Sequence, residues 1–460
     1  MASDMIDSAL YRNSFSTPEL REIFDDRTMV QNFLDIEVAL AQTQAELGII
    51  PQAAADEITR KGKVENIDFA DVEKEVNRVG HSLVPLLRYF QSICDGDAGE
   101  YIHLGATTQD ILDTSFMLSI KRGFEVTYRD AREAEGYILE LVKTHKNTIM
   151  AGRSHTQQAI PITFGYKAAV WASELRRDLN RMQECYRRCF VGELAGAVGT
   201  MAGFGKNGIA VSEKSIQKLN LDVPEIAWHV SRDRLAEICT TLSILCCTFG
   251  RIGKEIASLQ STEVAELAEG FTPGAVGSST MPHKRNPNGP ESLQMLARSV
   301  KAGMALSMES MFCEHERDGA FWKIEWKSVN ETVIMAGTCA AKAKKLLKNL
   351  DVFPAQMLEN LNKLKGLMMS EKAMLELGKY VGKQTAHEII YEISMKCFEQ
   401  KSDFGEMLLQ NEQVAAYLSR EDVWRMLDPA EYTGLSSELA QRVYDNSMKA
   451  REMDPVIGNG

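Results

Sequence analysis

The densest group of chemistry-bearing side chains in the sequence lies in residues 269–291, EGFTPGAVGSSTMPHKRNPNGPE. Adjacent hydroxyls at Ser278 and Ser279 precede His283, Lys284 and Arg285 in a row. Four glycines and four prolines within the same 23 residues rule out a helix interior. A loop so built is mobile at its Gly-rich front and held at its Pro-rich back, although composition alone also allows a solvated connector. Its cations matter because the whole chain is acidic, with a net charge of -12 and a pI of about 5.4. That balance runs against nonspecific attraction to nucleic acid or an anionic membrane, and leaves anion binding to local positive groups. A second polar stretch, AGRSHTQQAIPITFG, places His155 among hydroxyls and amides, and a third, YIHLGATTQDILDT, pairs Thr107 with Thr108. A lone histidine is more often structural than catalytic, so His155 needs its context.

The elements that must hold these stretches are helices. Only 12 prolines occur, leaving Pro85–Pro161, Pro224–Pro273 and Pro290–Pro354 uninterrupted. Within the second gap Leu242, Leu245, Phe249, Ile252, Ile256 and Leu259 recur at alternating spacings of 3 and 4, a sustained helical seam. Residues 116–148, 164–190 and 291–313 also read as helices, rich in Ala, Leu, Met, Glu, Lys and Arg. Alternating β-branched runs do not follow one another, so no large sheet is expected. The fold expected is all-α, with residues 1–112 as an N-terminal helical unit, 113–364 as a central long-helix bundle and 365–460 as a small C-terminal helical unit. Such long seams exceed what one monomer's core needs, which suggests helices shared between subunits.

At 460 residues, 44% hydrophobic and 25% charged, the chain is of ordinary globular composition. The start carries no basic stretch followed by an apolar run, so a cytoplasmic protein without a leader is expected. Nine cysteines form no CxxC and no Cys/His cluster at zinc spacing, so they read as reduced thiols, and no metal or redox cofactor is indicated. GTMAGFGK is not a phosphate loop: five residues separate Gly199 from Gly205, and Asn207 follows Lys206 where Ser or Thr is required. It reads instead as a helix-breaking hairpin.

GSSTMPHKRNP resembles the signature GSSxMPxKxNP of the fumarase/aspartase superfamily, matching at Gly277, Ser278, Ser279, Met281, Pro282, Lys284, Asn286 and Pro287. YIHLGATTQDILDT and AGRSHTQQAIPITFG are similar to two further shared regions, and the likeness runs in order along nearly the whole chain. It is strongest toward the branch of adenylosuccinate lyase and 3-carboxy-cis,cis-muconate cycloisomerase. The resemblance implies three all-α domains in a homotetramer, a central helix bundle shared by four subunits, and active sites built from three chains. It implies a small dicarboxylate-type substrate, deprotonated beside a carboxylate to an aci-carboxylate before a group leaves the neighbouring carbon. Ser278 would be the base, and His155 the acid for the leaving group, oriented by Glu291. Lys284 and Asn286 would hold the carboxylate, and Thr107, Thr108 and Gln157 would hydrogen-bond the substrate. Ser154, Ser279 and Met281 in the matched motifs, His81 and His103, and Arg317 as a neighbouring cation complete the expected set.

The likeness has departures with chemical meaning. Where adenylosuccinate lyases carry an Arg-Tyr pair this chain has Ser14 and Phe15, and Trp322, Lys323 and Trp326 stand where Ser-Ser and Arg grip a phosphate. Ser82 replaces an aspartate, and Ser231 a glutamine. Cycloisomerases in turn carry Trp where His155 stands and His where Gln158 stands. A carboxylate leaves without much protonation and an amine does not, so His155 favours carbon–nitrogen chemistry. The reading is a lyase that eliminates fumarate from an N-substituted aspartate or a similar substituted succinate, with Trp322, Phe321 and Trp326 available to line a leaving-group pocket. The alternatives are the cycloisomerase reaction, an iminodisuccinate epimerase, adenylosuccinate cleavage, and a non-catalytic protein on the same fold.

Overall fold

The computed structural model describes residues 4–270, 280–281 and 283–458 of the chain. Among these residues the architecture is all-α, with two small antiparallel two-stranded sheets. The N-terminal part contains α1 (Asp26–Glu46), α2 (Phe69–Val79) and α3 (Val84–Ile93). Short polar side chains start them: Asp25 accepts from the Thr28 N–H at 2.7 Å, and Asp68 from the Ala70 N–H at 2.9 Å. Gly80, at φ +68°, ends α2 in the left-handed conformation that a Cβ would penalise.

The long elements follow: α4 (Thr108–His145), α5 (Phe164–Cys189), α6 (Asp233–Leu259), α7 (Asn288–Glu309) and α8 (Gly319–Lys348). Helix α4, with 38 residues, spans about 57 Å at the standard rise. It begins earlier than the apolar periodicity predicts, because the Asp110 carboxylate folds back on the Thr107 N–H at 3.0 Å and stabilises a first turn made of polar residues. Helix α6 packs on α5, α7 and α8, and α4 lies against α5 and α8. The predicted seam of Leu242, Leu245, Phe249, Ile252, Ile256 and Leu259 is buried throughout. Helix α6 is long and apolar enough to cross a membrane, yet 72% of its most apolar window is buried in the fold, as a central bundle helix requires. One continuous core runs from Phe33 and Phe90 through Phe124 and Phe249 to Leu296 and Val333, so the N-terminal helices and the bundle share their apolar interior.

Beyond the bundle, α9 (Ser370–Val381) and α10 (Lys383–Gln400) enclose a second core around Met368, Leu377, Ile390 and Phe404. The last helix, α11 (Ser436–Glu452), returns to α5 and α4. There Glu135 accepts from Arg451 at 2.6 Å and from Arg176, which also binds Asp454 at 2.7 Å. All nine cysteines are free thiols, six of them buried. The 199–206 segment forms a 3-10 turn over Ala202–Asn207 rather than a hairpin, packed so closely on the 103–107 loop that a Cβ at Gly105 would lie 2.8 Å from the Gly203 carbonyl oxygen.

Helices α6 and α7 meet without room for another methyl: a Cβ at Gly253 would fall 2.7 Å from the Pro290 carbonyl oxygen. Gly253→Leu should therefore lower unfolding stability by about 1–3 kcal/mol, the usual range for overpacking. Urea denaturation measures it; an unchanged midpoint would refute the tight crossing.

Candidate active site

Three of the sequence-predicted stretches take definite geometry. The first is a hairpin of β1 (Ile149–Ser154) and β2 (Gln157–Thr163), with Ser154 paired to Gln157 and His155 and Thr156 as the two-residue turn. Both turn residues have positive φ, 51° and 66°, as a type I′ turn demands. Asn-Gly is the usual solution; a histidine followed by a β-branched threonine is a strained one, and it places His155 at the tip. The hairpin's base is rigid. Arg153 makes a two-pronged ion pair with buried Glu266 at 2.6 and 2.8 Å, and Glu266 also accepts from Asn360 Nδ2 at 2.9 Å. Beneath the turn a polar cavity of about 590 Å³ is lined by Gln157, Gln158, Asn360 and Lys363. Ser154, His155 and Gln157 are exposed on the chain.

The second is the entry to α4. Arg317 reaches across to it, its Nε 2.8 Å from Gln109 Oε1 and its Nη2 3.3 Å from Thr107 Oγ1 and 2.9 Å from the Ala197 carbonyl oxygen. All three partners are neutral, and among the described residues this guanidinium meets no carboxylate. Thr107, Thr108 and Arg317 thus converge on the positive end of a long helix.

The third is the Pro-rich end of the 269–291 loop. Gln260 Oε1 accepts from the Glu269 N–H at 2.9 Å, and Glu269 Oε2 accepts from the Gly289 N–H at 2.9 Å. This clamp holds the entrance to α7 in place. Lys284 and Met281 are exposed, Asn286 is half-buried, and Glu291 is exposed in the first turn of α7. Ser278 and Ser279 lie outside the described residues. No hydrogen bond within the chain joins Glu291 to His155.

The remaining histidines have defined tasks. His81 Nδ1 accepts from the Leu83 and Val84 N–H groups at 3.2 and 3.1 Å, which caps α3 and leaves Nε2 as the outward nitrogen. His103 sits at φ 65° with Nδ1 2.7 Å from Glu37 Oε1. Burial alone would lower its pKa, but the hydrogen bond and charge of Glu37, with Asp110 behind, raise it above the ordinary value.

Several buried polar residues behind this surface have no counterpart in the sequence reading. Asp110 accepts from the Thr107, Ala195 and Gly196 N–H groups and from His229 Nε2 at 2.9–3.1 Å. Glu193 lies beyond His229, its carboxyl pushed up to about 8 by burial, with Asp110 and Asp113 adding to the rise. The signal was available: Asp110 and Asp113 stand three apart inside TTQDILDT, which puts both on one helix face. Arg232 is buried between Asp113, at 2.7 and 3.1 Å, and Glu325, at 3.0 Å, and lies 4.8 Å over the Trp228 ring. Its charge is neutralised within the fold, so it is not a substrate cation. Trp322 donates to Asp113 Oδ1 at 2.8 Å and packs edge-on against Trp326.

Because His103 has a raised pKa, its pairing with Glu37 stabilises the fold fully below the unfolded value, about 6.5, and that contribution is lost as pH rises through the folded value. Glu37→Gln should lower the His103 pKa in an NMR titration and cost more stability at acidic than at alkaline pH. A pH-independent loss would contradict the pairing.

Residues 12–302 match the family model described as "Lyase", and residues 366–443 match "Adenylosuccinate lyase C-terminus". The chain is 41% identical to N-acetyl-S-(2-succino)cysteine lyase of Enterococcus italicus over 443 residues, 96% of this chain and 97% of that protein. Its fold superposes on the fumarate lyase of Mesorhizobium sp. BNC1 with a TM-score of 0.87 at 34% identity, covering 94% and 98% of the two chains. The 3-carboxy-cis,cis-muconate lactonizing enzyme of Pseudomonas putida superposes at 0.91 with 30% identity, covering 96% and 99%. With this whole-length likeness added to the three motif regions and their all-α frame, the chain belongs to the fumarase/aspartase superfamily and is a lyase of the fumarate lyase type.

Proposed function

We propose that the protein releases fumarate from a 2-succinyl thioether, by anti β-elimination from the succinyl part of an S-(2-succino)cysteine derivative. The observation that carries this reading is Arg317: a guanidinium with only neutral partners, set against Thr107 at the amino end of α4, is a place for a carboxylate. The thioether is supported by the name of the Enterococcus relative and by the Trp322 and Trp326 side chains where a phosphate grip would need cations.

In this reading Ser278, as alkoxide, removes a proton from C3 of the succinyl group. The electron pair spreads into the adjacent carboxylate as an aci-carboxylate, held by Lys284 and Asn286, and Ser279 and Met281 belong to the same closing segment. The C2–S bond then breaks, the C2=C3 bond forms, and His155 gives its proton to sulfur. Fumarate and a neutral thiol leave, with Ser278 protonated and His155 neutral. A thiol is already acidic near 8.5, so His155 needs to donate only late in bond breaking. Glu291 orienting His155, and the exposed positions of His155, Gln157 and Lys284 on one chain, fit a site completed by further copies in a homotetramer. His81 Nε2 and His103 complete the polar wall.

A second reading uses the same residues on an N-substituted aspartate, and His155 favours it, because an amine cannot leave unprotonated. The two readings separate in one assay of fumarate release by ultraviolet absorbance, with N-acetyl-S-(2-succino)cysteine, succinyl-AMP and N-succinyl amino acids compared side by side. The thioether should be turned over at the highest kcat/KM; preferential turnover of an N-substituted aspartate would replace this reading by the second. Ser278→Ala and His155→Asn should each cost about 10²–10⁴-fold in kcat. Arg317→Met should raise KM with the fold intact by circular dichroism. Undiminished turnover in Ser278→Ala would remove the proposed base.

A further inference from the structure

An apolar cavity of about 420 Å³ lies where α1, α2 and α3 meet α4 and α8, walled by Met29, Phe69, Val76, Phe116 and Trp326. It is joined to the proposed carboxylate end by an unbroken chain of hydrogen bonds. Arg317 binds Thr107 and Gln109; Gln109 Nε2 donates to Asp113 Oδ2 at 3.0 Å; and Asp113, which also holds Trp322, forms part of the cavity wall. Ser82, directly after His81, also lines the cavity. Among the described residues no Lys or Arg lines the space. Its remaining acids, Asp26 and Glu73, are exposed at the mouth, and Asp113 is already neutralised by Arg232.

Each property excludes a class of occupant. A phosphate would meet acids at the mouth and no cation within. A free ammonium would lose its hydration against apolar walls, with Asp26 and Glu73 exposed and Asp113 engaged by Arg232. A neutral acyl chain loses nothing on entry and buries its methylenes. A water occupies about 30 Å³ of liquid, so an acetyl group of three heavy atoms fills only a minor part of the space.

We propose that this cavity is the leaving-group subsite, and that it selects cysteine thiols whose nitrogen carries an acyl group longer than acetyl, alkyl or aryl. The proposal rests on the thioether reading above, and product binding separates the two. Isothermal titration of the full-length protein with N-acetyl-, N-butanoyl- and N-hexanoyl-L-cysteine should show affinity rising about three- to fourfold per added methylene. Free cysteine should bind more weakly than N-acetylcysteine. Val76→Trp, which fills the cavity, should flatten the series of binding affinities. The kcat/KM values of the matching S-(2-succino) derivatives should follow the same order in the wild type. If Val76→Trp does not fold, the wild-type series decides alone. Chain-length-dependent binding without any fumarate release would uphold the subsite and overturn the thioether reading. Fumarate release with a flat series, or tighter binding of free cysteine, would overturn the subsite and leave that reading standing.

Discussion

Arg232 is the buried charge around which the site is organised. It stands at the amino end of α6, with Asp113 of α4 on one side and Glu325 of α8 on the other, and all three side chains are almost completely excluded from solvent. Taking one cation and two anions out of water is costly, and the two-pronged geometry with each carboxylate offsets that cost. Removal of Arg232 would leave two uncompensated buried carboxylates, and loss of one partner costs about 3–5 kcal/mol in comparable buried pairs. Three long helices are thereby held at one depth and rotation. Their surface groups inherit that precision: Asp113 orients Gln109 and Trp322, and Gln109 orients Arg317.

A second buried acid acts on the backbone rather than on other charges. Asp110 gathers the N–H groups of Thr107, Ala195 and Gly196, so the threonine turn and the 195–197 loop cannot move independently. His229 bridges it to Glu193. Burial would lower the His229 pKa, but Asp110 and Glu193 raise it above the ordinary value. These residues touch no bulk solvent, and their effect on chemistry passes through the groups they hold.

The sequence made the frame legible because its signals were physical and local. The 3,4 spacing of Leu242 through Leu259 is a buried helix face in any context, and proline-free tracts permitted the lengths observed. The eleven-residue run GSSTMPHKRNP and the Thr107–Thr108 pair are likewise readable. What escaped was pairing at long range. Nothing in HLGATTQD announces that His103 will meet Glu37, 66 residues earlier, or that Arg232 and Glu325, 93 apart, share a buried bond. The start of α4 was missed for the opposite reason: its first turn is polar, so periodicity was silent, and only the Asp110–Thr107 cap reveals it. Nor does the sequence separate Arg232 from Arg317, because it shows charges but not their partners.

That distinction also explains how a chain of net charge -12 accommodates an anionic substrate. Its arginines divide into those already answered and those not. Arg153 is matched by Glu266, Arg176 by Glu135 and Asp454, and Arg232 by Asp113 and Glu325. Each carries structure and contributes little field beyond its own pair. Arg317 is set among a threonine hydroxyl, a glutamine oxygen and a backbone carbonyl, which orient the guanidinium without cancelling it. Arg317 therefore places an unpaired positive charge at the amino end of α4, and screening over about 8 Å at physiological ionic strength keeps distant surface acids from erasing it. Among the arginines with neutral partners Arg317 is the one set against Thr107 at the amino end of α4, and the Arg232–Asp113 pair, through Gln109, keeps that guanidinium in place.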